Sequence, residues 1–310
     1  MIRVGRHILA MAAALAVAAC DLIMPVEPVL TPRARPERPA PAPQIQPTSE
    51  QSARLRAYLA SVQSTQLTQG LLRQDGGGVD TPFTADMLAR NFRSIAFFSE
   101  YGGSVGVSGR LRRYEQPVRM KVIHGAALPP SERAQATRDV TDYAARLSRI
   151  TGHPISVGGK PNFLVYFVSE DERRQTILDT APQILGLEPR NLNPILNISE
   201  DIYCAVISYR SQDNRLAYGA SVAVIRTENP DLLRLSCIHE ELAQGLGLAN
   251  DSPEARPSIF NDDDEFALLT RHDELLLQLL YDDRLKTGMT LPEAEPVVRI
   301  LAREAMGQQL

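Results

Sequence analysis

Proline recurs at positions 25, 28, 32, 36, 39, 41, 43 and 47. A segment interrupted this often can form neither a helix nor an inner strand, because each proline lacks an N–H and fixes its own φ. It is expected to be an extended, semi-rigid tether, with Arg33, Arg35 and Arg38 keeping it soluble. A hydrophobic core therefore has to come from residue 51 onward, and about 260 residues are enough for one substantial domain. Hydrophobic residues make up 44% of the chain and the formal charge is −4. That excludes a fibrous repeat and a wholly disordered polymer, and gives no broad basic footprint for nucleic acid.

Ahead of the tether, Arg3 and Arg6 precede an apolar run from Ile8 to Ala19. The run is too short for a permanent membrane span and has the form of an export signal. It ends in Val17-Ala18-Ala19-Cys20, which resembles the bacterial lipoprotein signal, in which the cysteine carries the lipid. The expected organisation is a signal peptide over 1–19, a lipidated N-terminus and Pro-rich linker over 20–50, and one domain over 51–310. Cys20 would hold the protein to a lipid bilayer in the bacterial cell envelope, facing the periplasm. Loss of Arg3 and Arg6 would carry the charge from −4 to −6. Asp21 resembles an inner-membrane retention signal of some enteric bacteria, which leaves the choice between inner and outer membrane open.

Leu55, Leu59, Val62, Leu67 and Leu71 suggest one or two helices before Gly76-Gly77-Gly78. Thr81 with Pro82 resembles a helix start ahead of Met87, Leu88 and Phe92, and strand structure is expected to begin at Ile95–Phe98. Pro117–Ile123 alternates as a half-buried strand, residues 131–151 read as a helix, and Asn162–Val168 as a buried strand. Further strands are expected at Cys204–Tyr209 and Leu216–Ile225, with helices from Asp231 onward. Thr270 with Asp273, and Thr290 with Glu293, have the spacing of helix caps. The order implies a single α+β domain with a mixed β-sheet and C-terminal helices.

With Cys20 assigned to lipid, Cys204 and Cys237 remain, and in an exported chain they are expected to form a disulfide, the alternative being two buried thiols. The chemically informative stretch follows Cys237. Leu235, Ile238, Leu242 and Leu246 share one side of a helix, with Glu240, Gln244 and Gly247 opposite. His239 does not share the Glu240–Gln244 face, so a surface or structural role is expected for it.

Glu240-Glu241-Leu242-Ala243-Gln244-Gly245-Leu246-Gly247 overlays the zinc-peptidase pattern H-E-x-x-H-x-x-G, with Asn250 at the third ligand position and Asp251 beside it. This resembles the metzincins, in the manner of matrixin-like and serralysin-like peptidases. The resemblance continues through Phe260, near a methionine turn, and through Leu269–Tyr281. More narrowly, Cys237 to Met289 looks like the DUF2927 family of predicted proteobacterial lipoproteins, with a family core over about 81–289. The metzincin resemblance implies a zincin-like fold, former metal-ligand positions at Glu240, Gln244 and Asn250, and a general base at Glu241.

The departures weaken the metal. One carboxylate and two amides should hold zinc poorly, since zinc is normally bound by imidazole, thiolate or carboxylate. Calcium would find oxygen atoms on Asp251 and Asp262–Glu265, but without the dedicated loop spacing. No cofactor is therefore expected. The leading expectation is a noncatalytic envelope domain that binds a peptide, an envelope protein or a cell-wall component, with Leu216–Ile225 as an edge strand on which an extended partner could pair. The alternative is an atypical metal-dependent peptidase or hydrolase with Glu241 as general base, and a third is a purely structural envelope protein.

Overall fold

The computed structural model describes residues 48–98 and 109–308. The expectations for the export signal, Cys20 and the Pro-rich tether up to residue 47 lie outside the described residues. Among those described, no helix is long and apolar enough to cross a membrane.

Among the described residues the first helix, α1 (Glu50–Thr68), starts where the Ser49 hydroxyl accepts the Ser52 N–H and buries Leu55 and Leu59. The apolar spacing does not continue into the core as expected. Leu67 is exposed, and Leu72, with φ of 56°, is buried after the helix has ended. The next helix, α2 (Ala85–Ala96), corrects two expectations. Its cap is Thr84, whose hydroxyl accepts Met87 N–H at 3.2 Å, whereas the Thr81 hydroxyl is taken by Gly78. Ile95 and Ala96 close this helix rather than opening a strand. Leu88, Phe92 and Ile95 fall one helical turn apart and are all fully buried, so packing overrides the local strand preference of an Ile and Phe cluster.

A five-stranded sheet follows, built from β1 (Val118–His124), β2 (Ile155–Val157), β3 (Phe163–Val168), β4 (Cys204–Arg210) and β5 (Tyr218–Arg226). The order is β2-β1-β3-β5-β4, parallel throughout except for antiparallel β4 on β5. The mixed sheet is as expected, but β5 is an inner strand, and among the described residues β4 forms one edge. The short β2 has no sequence counterpart above. Strand β3 is buried along its whole length. Its Phe163, Val165 and Phe167 enter the larger core and Leu164, Tyr166 and Val168 the smaller, because alternate side chains leave opposite faces of a strand.

Helix α3 (Pro130–Thr151) covers the larger-core face together with the C-terminal helices, while α4 (Glu170–Leu185) and the short α5 (Asn193–Leu196) contribute to the other core. Helix α6 (Asp231–Leu246) packs across β4 and β5. A Cβ at Gly245 would lie 2.5 Å from the Phe163 ring, so the absence of a side chain there sets how closely α6 approaches the sheet. At the end of α6, Gly247 has φ of 132°, and a Cβ would stand 2.4 Å from the Arg112 carbonyl oxygen.

The last two helices, α7 (Arg271–Tyr281) and α8 (Leu291–Ala305), begin with the expected capping boxes, Thr270 with Asp273 and Thr290 with Glu293. Asp273 is fully buried, and its carboxylate also accepts the Ser258 hydroxyl at 2.5 Å and the Ile259 N–H at 3.1 Å. One side chain thus starts α7 and holds the preceding loop.

Candidate functional site

Cys204 opens β4 and Cys237 lies in the second turn of α6. They are joined by a disulfide with Cα atoms 5.9 Å apart, as the cysteine count predicts. Glu240 and Glu241 follow Cys237 at the helical spacings i+3 and i+4, which return their side chains to the neighbourhood of that bond. One ligand atom from each of Cys204, Glu240 and Glu241 lies within 4.8 Å of the others. Among the described residues this is the one His, Cys, Asp and Glu grouping with metal-ligand geometry. Glu241 is 3% exposed, at the seam between α6 and the sheet, and Glu240 is half-buried beside it.

The remaining ligand positions are occupied differently. Gln244 is buried, and its Nε2 donates to Asp251 Oδ1 at 3.0 Å. Asn250 Nδ2 donates to the Ser94 carbonyl at 3.0 Å and to the Asp251 carbonyl at 2.6 Å. These bonds tie the end of α6 to the following loop and that loop to α2. The polar side of α6 is therefore largely buried, and much of it serves to hold the chain where it turns at Gly247.

His239 faces the other way and is structural. Its ring stacks on Tyr143 with centroids 4.1 Å apart, and its Nδ1 accepts the Leu269 N–H at 3.0 Å. Burial, helped by the charge of Arg146, pushes its pKa down to about 3, so the imidazole is neutral. Phe260, near the place of the methionine turn, is fully buried, and its carbonyl accepts the Ser252 N–H.

Zinc does not fit the ligand positions implied by the metzincin resemblance. Gln244 and Asn250 are neutral amides engaged with the protein, and His239 is turned toward Leu269. Cys204 is held in a disulfide, whose sulfur lacks the charge of a thiolate ligand. The two carboxylates instead offer the oxygen donors that a harder divalent cation prefers. The acidic run is no rival site: Glu265 pairs with Arg73 at 3.1 Å and with Arg256 at 2.5 Å, and Asp264 accepts from Gln66.

Cys204 is the site residue that sequence reasoning used only as a disulfide partner. A signal for it was present, since whatever bonds to Cys237 must lie beside the side chains three and four residues further along the same helix.

The geometry defines an α+β domain whose mixed sheet is stapled to a carboxylate-bearing helix, with a degenerate candidate metal cluster at the staple. Residues 85–300 match the family described as Protein of unknown function (DUF2927), and the chain belongs to that family. No curated protein and no solved structure matches it.

Proposed function

We propose that this domain is an atypical metal-dependent hydrolase of the bacterial cell envelope that acts on peptide bonds with Glu241 as general base. The observation that carries the reading is the convergence of Glu240, Glu241 and Cys204 within 4.8 Å at the α6–β4 seam. A pair of carboxylates this close offers a cation oxygen donors from two successive residues of one helix. Glu240, the more exposed of the two, is the residue that would hold the cation, and Glu241 is the base that would take a proton from water. A bound divalent cation would supply Lewis acidity and countercharge.

Strand β4 adds a substrate argument. It is an edge strand among the described residues, and an extended peptide can add to such an edge through main-chain hydrogen bonds. Because Cys204 opens β4, a peptide on that edge would run close to the carboxylate pair. Envelope placement is supported by Val17-Ala18-Ala19-Cys20, with Cys20 acylated and inserted in the bilayer, and by the disulfide, which suits an oxidising compartment. The distant likeness to metzincins, with a zincin-like fold, belongs to the same proposal.

A second reading, a noncatalytic domain binding a peptide, an envelope protein or a cell-wall component, is favoured by one specific observation. The Gln244 and Asn250 amides secure the loop instead of presenting ligands. Calorimetric titration of the disulfide-intact protein with calcium, manganese and zinc, alongside cleavage of a peptide library, separates the two. We expect one hard cation per chain and cleavage that both Glu241→Gln and a chelator abolish. Peptide binding without cation uptake or cleavage would instead establish the noncatalytic reading.

A further inference from the structure

We propose that the Cys204–Cys237 disulfide is a redox cover over a zinc site, and that reduction assembles a four-donor centre from Cys204, Cys237, Glu240 and Glu241. The inference rests on reading the α6–β4 seam as a cation site, and adds which ion it takes in each redox state.

The geometry already brings together Cys204, Glu240 and Glu241, with ligand atoms within 4.8 Å. Cys237 Sγ lies outside that grouping but is bonded to Cys204 Sγ, so reduction would leave a fourth donor one bond length from it. Helix α6 presents Cys237, Glu240 and Glu241 from adjacent turns, and β4 supplies Cys204 from across the seam. Asn229 Nδ2 stands 3.7 Å from Cys237 Sγ and can donate to a sulfur that becomes negative. While the disulfide holds, the site offers oxygen ligands only. Once both sulfurs are released it would offer two thiolates and two carboxylates, a donor set of the kind that suits zinc.

The chemistry balances with a dithiol as reductant. One reductant thiolate attacks a cysteine sulfur and breaks the Cys204–Cys237 bond, forming a mixed disulfide. The second reductant thiol resolves it, leaving two cysteine thiols and a disulfide on the reductant, with two electrons transferred. Each thiol then loses its proton to solvent as it binds the ion. Zinc held this way engages Glu241, so it also removes the proposed general base from use.

The test uses cobalt(II) as a coloured substitute for zinc on the purified protein, with and without dithiothreitol. The reduced protein is expected to bind one cobalt per chain with a thiolate-to-cobalt charge-transfer band that zinc displaces, and the oxidised protein to show no such band. Cys237→Ser leaves Cys204 unpaired and is expected to give a weaker band without any reductant. Glu240→Gln and Glu241→Gln are expected to loosen cobalt binding by about tenfold or more in the reduced protein. If reduction alone unfolds the domain, zinc added with the reductant should restore the native far-ultraviolet circular dichroism. A natively folded reduced protein without the band, or an unfolded one that zinc does not restore, overturns the proposal. The hydrolase reading is judged on the oxidised protein alone, so either idea can fail without the other.

Discussion

Lowering the pH from 7 to 5 should cost the domain about 2 kcal/mol through His239 alone. The ring is buried between α6 and α3, stacked on Tyr143, and its Nδ1 accepts the Leu269 N–H, a bond that only the unprotonated nitrogen can make. Burial and the Arg146 charge hold its folded-state pKa at about 3, against about 6.5 in an unfolded chain. The folded-state value is depressed, so the unfolded chain takes up the proton first as the pH falls. The contribution is fully present above about 6.5, declines between about 6.5 and 3, and is exhausted below that. Within this window the slope approaches about 1.4 kcal/mol per pH unit, which over the interval from pH 7 to 5 integrates to about 2 kcal/mol. Urea unfolding at closely spaced pH values measures it, with His239→Gln as the control. A glutamine oxygen can accept from Leu269 but does not titrate, so subtracting the two profiles cancels the other ionisable groups. The difference between wild type and variant should shrink by about 2 kcal/mol on acidification. Parallel profiles would refute the assignment of His239 as a buried neutral acceptor.

Reducing the disulfide in the presence of a chelator should destabilise the domain by about 4 kcal/mol, because the bond closes a loop with a sequence separation of 33, and urea unfolding midpoints would measure the loss. Gly247→Ala places a methyl group against the Arg112 carbonyl at a φ of 132°, where both contact and backbone are unfavourable. A loss of about 2 to 4 kcal/mol by the same assay is expected, and a change below about 0.5 kcal/mol would show that the turn can relax.

Much of the fold was legible from local patterns. Strand β3 announced itself as an uninterrupted apolar run, α3 by helical spacing, and α7 and α8 by cap residues placed three apart. Other elements had no such mark. Strand β2 is three residues long, and α4, with Glu170, Asp171 and Glu172 in its first turn, has only a modest apolar face. Ile95–Phe98 does not open a strand, although β-branched and aromatic residues in a row favour one, because Ile95 falls in helical register with Leu88 and Phe92 and is buried with them, while Phe98 is left exposed.

For the candidate site, the chain alone determined which residues stand on α6 and in what order: Cys237, then Glu240 and Glu241 one turn on, then Gln244 and the turn glycine Gly247. It also singled out Cys204 and Cys237 as the pair expected to bond, while leaving two buried thiols as the alternative that the structure removes. Helical periodicity and cysteine arithmetic are local or countable, so they can be read without coordinates. Tertiary structure alone decided that Cys204 joins the two carboxylates, that Gln244 and Asn250 spend their amides on Asp251 and Ser94, and that β5 is an inner strand, with β4 at an edge among the described residues. Each of these depends on contacts between segments far apart in the chain. Such contacts are settled by which faces pack together, and nothing in the spacing of residues along one helix specifies that.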